Sequence, residues 1–154
     1  NWPQAGGYAN HAMHHIEISE SIKLAWTSDI GSGASDELMR EAGLYADRLS
    51  VNIEIPTKSG LKLLAPEKKH EDFMKPMEKV KNEIIQYKSE SKLIKSTPKY
   101  APAGQSTQMI VGATGESDRD IMYSSAFFYK NYNMKRVYYS GYVPISNDPR
   151  LPAL

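Results

Sequence analysis

Several short stretches of this chain set small or polar residues directly after apolar runs, the arrangement from which ligand sites in α/β proteins are built. Ile110-Val111-Gly112-Ala113-Thr114-Gly115-Glu116-Ser117 brackets a tight turn with two glycines. Its small side chains leave backbone N–H groups free for close approach by a nucleotide or carboxylate group. The same spacing serves an ordinary strand-to-helix turn with Glu116 near the helix start, and the three-glycine dinucleotide pattern is not met. Glu54, Pro56, Thr57, Lys58 and Ser59 follow a second apolar run. There Glu54 can either hydrogen-bond a ribose or an amine or simply be solvated. Ser140, Gly141, Tyr142 and Pro144 follow a third. Ala101 to Gln108 adds a rigid Pro, a permissive Gly and four side-chain amides or hydroxyls, but at the start of a strand, the end that seldom presents a ligand.

Other chemistries have weaker footing. His11, His14 and His15 stand at helical spacing, but no acidic partner lies at a recognised metal-ligand interval, so no metal site is expected. Tyr138, Tyr139 and Tyr142 beside Lys135 and Arg136 can stack on and hold nucleic acid, whereas strand alternation would bury some of them in a core. The sequence has no cysteine, which excludes disulfides, a thiolate nucleophile, Cys-ligated zinc and an iron–sulfur cluster held by thiolates of this chain. Lys and Arg number 19 against 18 Asp and Glu, so no global field draws the chain to a phosphate backbone. No run reaches the roughly 18 apolar residues of a membrane helix, and the expectation is a soluble, cytoplasmic protein.

The elements that must position these residues become legible from Gly31 onward; residues 1–30 form a poorly defined segment in which His14 to Thr27 reads as either strand or short helix. Ser35 caps a helix expected to reach Asp47, in which Gly43 is a weak point. Leu49, Val51, Ile53 and Ile55 alternate with polar residues and predict a strand over 49–55, ended by Pro56. A turn over 57–60 and a short apolar element stopped by Pro66 precede a long helix, Glu71 to about Lys92, that Pro76 either kinks or begins. Thr107 to Val111 predicts a buried strand, Glu116-Ser117-Asp118 opens a helix through Tyr132, and Arg136 to Val143 is a third strand. Alternating helix and strand argues for a parallel sheet with crossover helices.

The run Ile110 to Asp118 resembles the fifth-strand signature of radical S-adenosylmethionine enzymes, with Thr114 where that pattern often has Pro. Arg48 to Glu54, followed by Ser59, Leu61, Lys62, Leu63 and Leu64, is similar to the preceding fourth-strand unit. Together with Ala101 to Met109 and with Arg136 to Ser140 leading to Pro144, the likeness narrows to a branch described as DNA modification or repair proteins. That branch is associated with a uracil-DNA-glycosylase-like partner. The likeness runs over residues 31–154 and departs from the family in lacking the Cys-x3-Cys-x2-Cys loop.

The resemblance implies a segment of a partial (β/α) barrel comprising its later βα units, and part of a longer protein. It implies S-adenosylmethionine and a four-iron four-sulfur cluster as cofactors of the intact enzyme. The cluster would reduce S-adenosylmethionine to a 5′-deoxyadenosyl radical. Carried over residue by residue, Glu54 and Ser59 face the ribose or methionine part, Ile110, Val111 and Gly112 line the adenine, and Gln108 is a further candidate. Implied partners are the remainder of the barrel, the glycosylase-like protein and nucleic acid, with self-association expected through open sheet edges. A non-catalytic nucleotide-binding module and a nucleic-acid-binding domain are the alternatives.

Overall fold

The computed structural model describes residues 34–144 and 148–152. The histidines at 11, 14 and 15 and the strand-or-helix segment His14 to Thr27 lie outside them. Among the described residues the order is α1 (Asp36–Tyr45), β1 (Leu49–Ser50), α2 (Lys58–Leu64), α3 (His70–Leu93), β2 (Gln105–Val111), α4 (Asp118–Tyr132) and β3 (Arg136–Gly141). The three strands form one parallel sheet in the order β1-β2-β3. The fold is therefore α/β, with helices in both crossovers, as the alternation requires.

Each helix begins where its sequence supplies a cap. Ser35, Thr57 and Ser117 accept from backbone N–H groups of the first turns of α1, α2 and α4, satisfying donors that no helical carbonyl can reach. The Asp72 carboxylate does the reciprocal service for α3, accepting from the N–H of Lys69. Pro76 does not start that helix, which opens six residues earlier at His70; it lies inside α3, where it removes one internal donor.

Alternation along the strands decides which face is buried. Ser106 is buried on the far face of β2; Gln105, Thr107 and Met109, with Val137 of β3, are buried on the near one. They point to the helical layer: the Gln105 amide donates to the backbone carbonyls of Met77 in α3 (3.1 Å) and Tyr132 in α4 (2.6 Å). Met109 lies against Ser125 of α4. The core continues through Ile53, Ile55, Leu61, Phe73, Ile121, Phe128 and Met134. α3 packs on β2 and α4, α4 packs on β3, and α1 packs on α3, so these three helices share one face of the sheet.

Gly43 has a specific duty in this layer. A Cβ there would enter the ring of Tyr100, which is 4% exposed, stacks on Tyr87 at 5.1 Å between centroids and donates its hydroxyl to the carbonyl of Met39. The residue that weakens α1 by propensity is what lets Tyr100 seat. Ala101 at φ 37° and Gly104 at φ 82° then turn the chain, with the N–H groups of Ala101 and Ala103 donating to Gly43 and Asp47. The segment Ala101 to Gly104 thus ties the end of α1 to the start of β2, at the amino end of the sheet.

Three expected boundaries are corrected. β1 is a ladder of two residues instead of seven, because an extra residue interrupts the pairing after Ser50. The run Lys58 to Leu64 is helix almost from the expected turn, since Thr57 caps it directly. β3 ends at Gly141, and its core residue is Val137; Tyr138 and Tyr139 are 43% and 50% exposed, so alternation does not carry them into the core.

Burial pushes the Tyr100 hydroxyl up to about 12, with the nearby Glu83 carboxylate adding to the shift. A folded-state value above the unfolded one stabilises the fold below about pH 10 and ceases to do so as pH rises through about 12. The midpoint of urea unfolding should therefore drop between those values, and Tyr100→Phe should drop less steeply over the same window. Equal slopes for the two proteins would remove Tyr100 from the account.

Candidate functional site

The carboxyl ends of the strands gather most of the residues singled out by sequence. From Ser50 to Glu54 β1 advances four residues while β2 advances three, from Ser106 to Met109, so β1 carries one extra residue. This is the count of a β-bulge, a device that bends a strand and re-aims side chains. Where the ladder fails, the N–H of Ile53 donates to the side-chain oxygen of Thr107 at 3.3 Å. Pairing then resumes at one point, with Glu54 N–H donating to Gln108 and Ile110 N–H donating to Glu54.

Glu54 takes the left-handed conformation, φ 58°, and closes a three-residue turn in which the N–H of Ile55 donates to the carbonyl of Ile53. For a residue with a Cβ this backbone is strained, by about 1–3 kcal/mol, and such strain concentrates at ligand sites. Beyond β2, Gly112 is also left-handed at φ 85°, and among the described residues no atom lies within 4 Å of where its Cβ would stand. Gly115 and Gly141 have the same open space, and Gly141 is the register partner of Val111. Three glycines thus leave the backbone approachable at the ends of the two neighbouring strands β2 and β3.

Next to this edge, α2 docks on the β2–α4 turn. A Cβ on Gly60 would stand 2.6 Å from the Thr114 hydroxyl and 2.8 Å from Ile55, so only glycine permits this approach. The resulting cavity, about 330 Å³, is lined by hydroxyls of Thr57, Ser59 and Thr114 and by the carboxylates of Glu116 and Asp120. Thr114 donates to one Glu116 oxygen, while the other is buried without a partner among the described residues.

The electrostatics of the turn are acidic. Glu116, Asp118 and Asp120 cluster at the start of α4, with Arg119 among them. The Asp120 carboxylate accepts from the hydroxyl (2.7 Å) and N–H (3.0 Å) of Ser117, which holds its pKa below the ordinary carboxylate range. The helix end that could attract an anion is therefore already met by the chain's own carboxylates. This edge is suited to a neutral or cationic group and not to a phosphate.

The six residues carried over by resemblance do not share one wall. Ser59 lines the cavity under α2. Gln108 and Ile110 point to the face of the sheet opposite α3 and α4, where Gln108 donates to the Ser140 hydroxyl at 3.0 Å. Val111, next along β2, points to the other face. Glu54 and Gly112 stand at the rim between them, at the two left-handed positions. Two features escape sequence reading. Arg48 reaches across the open face to the Tyr138 hydroxyl at 3.2 Å, and Asp120 enters the cavity wall although its sequence position signals only a helix start.

Comparison with protein-family models, with curated proteins and with solved structures finds no match. Among the described residues, no group of three His, Cys, Asp or Glu is placed to hold a metal ion, and no helix is long and apolar enough to cross a membrane.

Strain distinguishes the two left-handed positions. Gly112→Ala should cost about 1–2 kcal/mol in urea unfolding through backbone conformation alone, since its Cβ would meet no atom of the described residues. Glu54→Gly should leave stability unchanged or raise it, because the strain goes with the Cβ. A large loss in Glu54→Gly would show that its side chain holds the fold together.

Proposed function

We propose that this chain contributes part of the cofactor and substrate crevice of a radical S-adenosylmethionine enzyme, as later βα units of a partial (β/α) barrel, with DNA modification or repair as the setting. The observation that carries this reading is the open glycine edge. Gly112 is left-handed, with no atom of the described residues near its Cβ position, at the carboxyl end of β2 and one residue beyond Val111. The sequential parallel order of the strands and their one-sided helical layer are also what successive units of such a barrel have.

Charge favours this ligand over a nucleotide phosphate. S-adenosylmethionine carries a sulfonium and an ammonium group, and the acidic edge of Glu116, Asp118 and Asp120 complements positive charge. Glu54 and Ser59 would hold the ribose or methionine part, Ile110 and Gly112 would offer an apolar strand and bare backbone to the adenine, and Gln108 would bond from the open face. Val111 would then support the wall from the core side instead of touching the base.

The iron–sulfur cluster does not fit this chain, whose 154 residues include no cysteine. Its thiolates would have to come from elsewhere in the intact enzyme, and this chain's share is binding and positioning. The remainder of the barrel would pair with the outer edge of β3, where exposed Tyr139 offers contact area. A glycosylase-like protein belongs to the same proposal.

A second reading has one observation of its own. Arg48 and Tyr138 meet on the open sheet face, and Arg136 lies on that same face, an arrangement able to stack on and neutralise nucleic acid.

Calorimetric titration of the folded chain with S-adenosylmethionine tests the first reading. Saturable binding, reduced at least tenfold by Gly112→Val, is the expected result. Absence of binding, together with salt-sensitive binding of DNA that Tyr138→Ala weakens, would replace it with the second.

A further inference from the structure

Alternation places Arg136 and Tyr138 of β3 on the sheet face opposite α3 and α4, and Arg48 joins them there from the start of β1. Arg48 is held at two points. Its Nε donates to the carbonyl of Ala103 at 3.3 Å, and its Nη1 donates to the Tyr138 hydroxyl at 3.2 Å. Register sets Leu49 opposite Gln105 and Tyr138 opposite Gln108, so this bridge crosses β2 at the level of Ser106, which is buried. The guanidinium and the ring are thereby oriented before any ligand arrives. The Tyr138 ring itself is 43% exposed, so its face is open to a further group.

Arg136 stands opposite Ser106, two residues before Tyr138 and therefore about 7 Å from it along the strand. It is exposed, and among the described residues it makes no hydrogen bond through its side chain. The ion pairs of the described residues join Lys58 to Glu71, Lys79 to Asp36 and Arg150 to Asp148. Neither guanidinium on this face is among them, not even Arg48 with the adjacent Asp47. The acidic cluster of Glu116, Asp118 and Asp120 lies at the other, carboxyl, end of the sheet. The amino half of this face thus offers two permanently charged forks, suited to phosphate oxygens, on either side of one fixed aromatic ring.

That combination selects among polyanions. A duplex keeps its bases stacked and offers a lone ring on a flat sheet nothing to stack on, whereas a single strand can turn a base outward onto it. We infer that this face binds single-stranded nucleic acid across the amino half of the sheet, with a base stacked on Tyr138 and phosphates on Arg48 and Arg136. The inference rests on the nucleic-acid reading given above and specifies its substrate class. It does not depend on S-adenosylmethionine binding at the strand ends.

The test is fluorescence anisotropy of the full chain with labelled oligo(dT) and oligo(rU) of about a dozen nucleotides, with a duplex of the same length, and with heparin as a polyanion without bases. A single strand should bind saturably and at least tenfold more tightly than the duplex or heparin, and preference for one of the two single strands assigns DNA or RNA. Two phosphate contacts predict a slope of about −1.4 for log affinity against log salt, falling to about −0.7 in Arg136→Gln. Tyr138→Ala should weaken binding tenfold or more, while Tyr138→Phe, which keeps the ring and loses the Arg48 bridge, should stay within about threefold. Arg136 is exposed and unbonded, so its variant decides the matter if a Tyr138 variant does not fold. Salt-sensitive binding of duplex or heparin as tight as that of single strands, or indifferent to Tyr138→Ala, would overturn the inference and leave nucleic-acid binding in place. Binding of no probe at low salt would overturn both.

Discussion

β2 has a paired neighbour on each side, and the rest of the described fold is arranged by what it must bury. Its odd-numbered residues from Gln105 to Met109 are closed off by helices, and the Gln105 amide is the link that fixes those helices to the strand. One side chain there reaches backbone carbonyls of both α3 and α4, and the carbonyl of Tyr132, at the end of α4, has no helical N–H to accept from. Because alternation is strict, fixing Gln105 toward the helices also fixes Gln108 and Ile110 toward the opposite face. The polar face is thus a consequence of how the core is built, and it needs no separate device to create it.

The bulge in β1 depends on the same strand. Thr107 accepts the N–H of Ile53 where the ladder breaks, so the extra residue is absorbed without leaving that donor unmade. Its cost appears at Glu54, forced into a conformation better suited to glycine, next to a position where glycine is in fact used. A strained carboxylate beside an open glycine turn is the pairing expected where a side chain must be held in an otherwise unfavourable place.

Much of the architecture was legible from the chain. Ser35 marked one helix start by capping chemistry and the run Glu116-Ser117-Asp118 marked another, and Val51, Ile53 and Ile55 marked a core-facing edge whose Ile53 and Ile55 are buried. What escaped was anything set by a partner distant in sequence. The bulge arises from mismatch between 50–54 and 106–109, which no local period carries. Gly43 read as a helix weakness and Gly60 as the end of a turn, yet each is required by a ring or hydroxyl from another element. The candidate residues were similarly found by type and not by facing: adjacent Ile110 and Val111 cannot line one wall, while Asp120 gained its surroundings only from packing.

On the function proposed, the backbone at the end of β2 is bare because a ligand approaches it. Residue-resolved amide hydrogen exchange, with and without S-adenosylmethionine, tests this most directly. The account predicts that β2 amides exchange slowest in both states, and that Gly112, Thr114 and Gly115 exchange rapidly alone and at least tenfold more slowly with ligand. Unchanged exchange at that turn under saturating ligand, or new protection confined to another surface, would contradict it.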